Sequence, residues 1–137
     1  MAKSRRKWTF SPAKSGKPTV TASIKLQVET KAKELIENIL KPQHVQPPLE
    51  DQLGNYIIDI GAKWYRNYFY FFSTYACPGP NALSSTFESK FARMEYLGND
   101  KFALSFMLHT GEWVGLFDSL SLEECMKTIQ DDSWFQP

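Results

Sequence analysis

The stretch Lys101-Phe102-Ala103-Leu104-Ser105-Phe106-Met107-Leu108-His109 sets Phe102, Leu104, Phe106 and Leu108 at every second position. A period of two collects these large apolar groups on one face of a β-strand, where a helix would scatter them around its circumference. Gly98-Asn99-Asp100 precedes the stretch and Thr110-Gly111 follows it. Both connections are short and rich in residues that tolerate the backbone of tight hairpins. The strand is therefore expected to have antiparallel neighbours, Phe87 to Leu97 before it and Trp113 to Phe117 after it.

Further upstream, Tyr56 to Ile60 and a longer run from about Trp64 to Tyr75 are rich in β-branched and aromatic residues and read as two more strands. Gly61 and the pair Arg66-Asn67 are candidate bend points. Five sequential strands joined by tight turns make an antiparallel meander.

Helical signals flank this meander. Ile24, Val28, Ala32, Leu35, Ile36 and Ile39 recur at spacings of three and four, the pattern of one buried helix face. Thr19, Thr21 or Ser23 supplies the N-cap, and Pro42 is expected to end the helix. Pro42, Pro47, Pro48 and Gly54 make residues 41–55 a crossing loop. At the other end Ser121 and Glu124 have the spacing of a capping box, with Leu120 and Cys125 placed as a hydrophobic staple. Leu122, Cys125, Met126 and Ile129 form the stripe of a short C-terminal helix. Helix, five strands, helix predicts an α+β domain, a two-layer sandwich with both helices on one face of the sheet.

The 137 residues suffice for one such domain, and 42% hydrophobic with 15% aromatic content excludes a disordered chain. The net charge of +1 hides a strong asymmetry. Residues 1–25 hold seven of the sixteen basic groups (Lys3, Arg5, Arg6, Lys7, Lys14, Lys17, Lys25) and no acidic one, leaving nine basic against fifteen acidic beyond them. Residues 1–18, with two prolines and a glycine, read as a flexible basic arm, and residues 19–137 as the single α+β domain.

Two distant cysteines, Cys77 and Cys125, do not make a disulfide scaffold, and neither His44 nor His109 has a second histidine at metal-ligand spacing. Neither a metal nor any other cofactor is expected. No apolar run is long enough to span a bilayer, so no membrane partner is expected. The Arg5-Arg6 pair lacks the apolar segment of an export signal behind it, and the expected compartment is the cytoplasm. Ser15-Gly16-Lys17 lacks the earlier glycine and the strand-to-helix context of a phosphate loop.

The segments Lys63-Trp64-Tyr65-Arg66-Asn67-Tyr68-Phe69-Tyr70-Phe71, Cys77-Pro78-Gly79-Pro80-Asn81-Ala82, His109-Thr110-Gly111-Glu112-Trp113 and Leu120-Ser121-Leu122-Glu123-Glu124-Cys125 carry a resemblance. Together with Lys7-Trp8-Thr9-Phe10-Ser11-Pro12, the chain resembles a family of short bacterial proteins of unknown function over most of its length. The resemblance implies a bacterial, intracellular setting and brings no activity, substrate or catalytic residue with it.

The functional expectation therefore comes from the residues. Between Trp64 and Tyr75, eight of twelve are aromatic (Trp64, Tyr65, Tyr68, Phe69, Tyr70, Phe71, Phe72, Tyr75), more than one core face of a strand needs. Aromatic side chains on a sheet, with cations nearby, are the means by which single strands of nucleic acid are held. Lys63, Trp64, Tyr65, Arg66, Tyr68 and Tyr70 are the candidate contact residues, and Lys3, Arg5, Arg6, Lys7 and Trp8 of the arm add charge and one stacking ring. The leading reading is a non-catalytic binding module that contacts nucleic acid or an acidic protein, with residues 1–25 recruiting the anionic partner. The alternative is a small-molecule site or enzyme between sheet and helix, using Asp59, His109 and Glu112 as polar groups. A third reading is a homodimer formed through the aromatic face.

Overall fold

The computed structural model describes residues 18–45, 54–79 and 85–137. The arm up to residue 17, most of the proline-rich crossing loop, and Pro80, Asn81 and Ala82 lie outside the described residues.

Five strands, β1 (Tyr56–Tyr65), β2 (Tyr68–Ala76), β3 (Thr86–Gly98), β4 (Lys101–Met107) and β5 (Trp113–Leu120), form one antiparallel sheet in the order β1-β2-β3-β4-β5. This is the expected meander. Asn99 and Asp100 both take positive φ, 52° and 59°, as a two-residue turn of the primed type requires between right-twisted strands. The β4–β5 turn is closed by Leu108 N–H donating to Glu112 O at 2.8 Å, with Gly111 at φ 91°.

Three boundaries differ from the sequence reading. Trp64 and Tyr65 end β1 rather than opening β2, because the chain reverses at Arg66-Asn67, where Arg66 takes φ 56°. Gly61 is no bend. It sits within β1 opposite Phe72, whose ring lies where a side chain would be: a Cβ on Gly61 would stand 2.8 Å from Phe72 Cζ. A glycine here admits a cross-strand ring, so the strand runs through it. Finally, β4 stops at Met107 and β5 extends to Leu120.

The first helix also departs from expectation. Thr21 caps α1 (Ala22–Leu35), its Oγ1 accepting Ile24 N–H at 3.2 Å. Pro42 does not terminate the helical path, which passes through a π segment, Ile36–Leu40, into a last turn, α2 (Lys41–His44). In the π segment Lys41 N–H donates to Ile36 O, five residues back. The ladder slips by one residue immediately before the residue that has no N–H to give, and Pro42 then occupies the first turn of α2, where a missing donor is tolerated. The capping box of α3 (Leu122–Asp131) forms as expected: Glu124 N–H donates to Ser121 Oγ at 3.1 Å and Ser121 N–H to Glu124 Oε1 at 2.8 Å.

The helices share one face of the sheet. Val28, Ala32, Leu35 and Leu40 from the first helical path and Cys125 and Ile129 from α3 join Phe69, Phe71, Phe102 and Leu104 in one buried cluster, closed by Phe135. Full burial of each large side chain stabilises by about 1.5–3 kcal/mol. Among the described residues no helix packs on the opposite face of the sheet.

Candidate functional site

Strand alternation and register determine what that opposite face carries. On β2, Phe69 and Phe71 point to the helices and are fully buried, so Tyr68, Tyr70 and Phe72 point away. Pairing then places Tyr65 beside Tyr68, Lys63 beside Tyr70, and Gly61 beside Phe72 on β1. On β3 the partners are Glu95, Arg93 and Lys90, the last brought into line by a bulge at Phe71/Phe72. Arg93 faces Ser105 of β4, Ser105 faces Gly115 of β5, and Met107 faces Trp113.

The result is an aromatic row with cations over it. The Tyr68 and Tyr70 ring centroids are 6.0 Å apart and those of Tyr70 and Trp113 5.7 Å. Tyr70 and Trp113 belong to strands separated by β3 and β4, a span of roughly 14 Å at strand spacing. Their rings therefore lean toward each other, over a floor kept low by Ser105 and Gly115. The Arg93 guanidinium lies 4.6 Å from the Tyr68 centroid and 4.9 Å from that of Trp113, and Lys90 Nζ lies 5.5 Å from Tyr70. Lys63 Nζ stands 4.7 Å from Phe72 and 3.1 Å from Glu88 Oε1. Each cation–π contact contributes about 0.5–1 kcal/mol when exposed, enough to set a side chain's direction. Lys63, Trp64, Tyr65, Tyr70, Lys90, Met107 and Trp113 line a hollow of about 560 Å³ in this face.

The arrangement offers flat π-surfaces with half-buried edges and positive charge held just above them. Such a surface stacks planar groups and attracts anions. Glu88 and Glu95 share the face, so its charge is mixed but positive on balance over Lys63, Arg66, Lys90 and Arg93.

Of the candidates read from the sequence, Lys63, Tyr65, Tyr68 and Tyr70 are brought together here, and Arg66 joins them at the turn, 5.2 Å from the Tyr65 ring. Trp64 borders the hollow but directs its ring to the core, 5.1 Å from Phe69, and its Nε1 donates to Lys25 O at 3.4 Å. Lys3, Arg5, Arg6, Lys7 and Trp8 lie outside the described residues.

The alternative set of polar groups is not brought together. Asp59 is on β1 and His109 follows β4 at the far side of the sheet. Asp59 pairs with Lys41 at 3.1 Å, not with the basic residues of the sheet, and Lys41 also holds Glu37 at 2.8 Å. The hydrogen bonds that the Lys41 ammonium donates to Glu37 and then to Asp59 raise it above its ordinary pKa. Glu112 accepts the Thr110 hydroxyl at 3.5 Å, and His109 is exposed at the turn. Among the described residues no group of three His, Cys, Asp or Glu side chains converges on a point.

Sequence reasoning missed Phe72, Lys90, Arg93 and Trp113 as members of one face. Their common place depends on cross-strand register and on a bulge in β3, neither of which leaves a mark along the chain. The alternation of β2, extended through the two hairpins, was the one available signal.

No helix among the described residues is long and apolar enough to cross a membrane. No curated protein and no solved structure matches the chain. The sequence model of a family described as a domain of unknown function, DUF3024, matches residues 19–137, which begin just after the basic arm and run through the sheet to the end of the chain. The chain belongs to the DUF3024 family.

Proposed function

We propose that this protein is a non-catalytic binding module for single-stranded nucleic acid, held without a sequence code on the outer face of the sheet. The observation that carries the reading is the row Tyr68, Tyr70, Trp113, unroofed by any helix among the described residues and topped by Arg93 and Lys90. Bases stack on such rings with about 1–3 kcal/mol each, and the stacking is indifferent to sequence because every base has a π-face. The cations then lie where phosphates between stacked bases pass. A cytoplasmic setting in a bacterium belongs to the same proposal, supported by two cysteines that are both free thiols.

The test is fluorescence anisotropy of a labelled oligothymidine, titrated with the full chain at two salt concentrations. Trp113→Ala and Tyr70→Ala should each weaken binding by about 5- to 150-fold, the equivalent of one lost stack. Binding should fall steeply as salt rises. No binding at the lower salt concentration overturns the proposal, and binding of an acidic polypeptide in place of the oligonucleotide replaces it with a protein partner.

A further inference from the structure

All five strands contribute to the hollow in the outer face, and its volume of about 560 Å³ lies within the roughly 300–1,000 Å³ of small-molecule pockets. Neither Tyr68 nor Glu95, which have interactions of their own, belongs to its lining. Tyr70 and Trp113 form a corner in it, their centroids 5.7 Å apart and their planes inclined by 48°. A base between them would need two van der Waals contacts of about 3.5–4 Å each, roughly 7–8 Å in all, so the rings admit none between them. A base can instead lie flat on one ring and meet the other edge-on, an arrangement that aromatic pairs favour. Met107, the register partner of Trp113, adds a polarizable thioether to the same corner.

The polar side-chain atoms of the lining are chiefly donors. The ammonium groups of Lys63 and Lys90 and the indole N–H of Trp113 only donate, the hydroxyls of Tyr65 and Tyr70 donate or accept, and no carboxylate or side-chain amide takes part. The Trp64 indole is already committed to Lys25 O. Both cations approach from the side of Phe72, which is the register partner of Lys90 and lies 4.7 Å from Lys63 Nζ. Lys63 also pairs with Glu88, but both side chains are about half exposed, 48% and 51%, and such pairs are weak. Lys63 can therefore turn from Glu88 to a ligand. Aromatic walls with two ammonium groups at one side match a planar ring that carries an anion, joined as in a nucleotide.

We infer that this hollow is a pocket for one nucleotide, with the base in the corner of Tyr70 and Trp113 beside Met107 and the phosphate on Lys63 and Lys90. The inference rests on the nucleic-acid reading and deepens it: one unit of the strand enters a pocket of its own, which a free nucleotide also fills.

The experiment follows the Met107 methyl signal by nuclear magnetic resonance in the full chain with labelled methionine methyls, titrated with thymidine 5′-monophosphate. The base ring should shift that signal with a Kd of about 1 mM, the sum of one stack and one charge-assisted bond. Thymidine, which lacks the phosphate, should bind about 10-fold more weakly or worse, and Lys63→Gln/Lys90→Gln should bring the monophosphate down to the level of thymidine. Met107→Trp fills the hollow and should abolish binding of the monophosphate while weakening oligothymidine by about 5-fold or more. Circular dichroism checks that each variant folds, and the lysine pair carries the test if Met107→Trp does not. A Met107 signal unmoved at about 10 mM monophosphate, tenfold the expected Kd, while oligothymidine binds the chain, overturns the pocket and leaves the sheet-face reading standing. Thymidine binding as tightly as its monophosphate also overturns it. A shift with the monophosphate in a chain that does not bind oligothymidine leaves the pocket standing, as a site for a free nucleotide, and removes the strand. If neither ligand binds, both readings fall.

Discussion

Ser73 lies on β2 in line with Phe69 and Phe71, fully buried, and its Oγ has no hydrogen-bond partner among the described residues. It faces Ile60 across β1 and Ser89 across β3. A buried hydroxyl without a partner carries its whole desolvation penalty, about 1–3 kcal/mol. Ser73→Ala removes that penalty and leaves a void no larger than one water-sized probe, about 10–15 Å³. At about 24 cal/mol per Å³ such a void costs about 0.3 kcal/mol, which the removed penalty exceeds. The variant should therefore be more stable by about 1–2 kcal/mol. In urea, with a slope of about 1–3 kcal/mol per molar, the midpoint should rise by roughly 0.3–2 M with the slope unchanged. A lowered midpoint would refute the reasoning, since it would mean that the hydroxyl makes a bond worth more than its burial costs.

Further expectations concern other parts of the molecule. Gly61→Val should displace the Phe72 ring from β1 and destabilise by about 1–3 kcal/mol, as overpacking does, read as a lowered urea midpoint. Ser121→Ala should cost about 1 kcal/mol through loss of the α3 cap, seen in the same assay. The Glu124 carboxyl is held below its ordinary pKa by the Ser121 backbone N–H and then by the Ser121 side chain. Because the folded value is the lower one, its contribution is present above the ordinary carboxylate range and is lost as pH falls through the folded value. The stability difference between the unaltered chain and Glu124→Gln should accordingly be seen at neutral pH and vanish in acid; a difference that grows in acid contradicts it. Burial, with a smaller contribution from Glu124, pushes the Cys125 thiol up to about 12, while Cys77 is half-buried. A thiol reagent at mildly alkaline pH should label one cysteine per native chain and two after unfolding.

Local signals in the sequence located the elements that local forces specify. The alternation of Phe102, Leu104 and Phe106 identified β4, the Ser121–Glu124 pair identified the start of α3, and the stripe from Ile24 to Ile39 identified the first helix. The misread features all depend on what lies across space. Gly61 resembles a break until Phe72 is placed over it, and Pro42 resembles a stop until the π segment shifts the ladder ahead of it. The excess of aromatics from Trp64 to Tyr75 was visible, and its division follows from alternation: Trp64, Phe69 and Phe71 to the core, Tyr65, Tyr68, Tyr70 and Phe72 to the outer face. Arg93 and Trp113 became their neighbours only through the register of β3, β4 and β5.

The three described tryptophans divide cleanly between the two faces. Trp113 is in the outer row, Trp64 donates its indole N–H to Lys25 O, and Trp134 packs 4.7 Å from Phe106 on the helix side. Their indole N–H signals in a nuclear magnetic resonance titration of the isotope-labelled chain with oligothymidine report directly which face is occupied. A progressive shift of the Trp113 signal, with Trp134 unmoved, is the predicted result. A Trp113 signal that stays in place at saturating oligonucleotide contradicts the account.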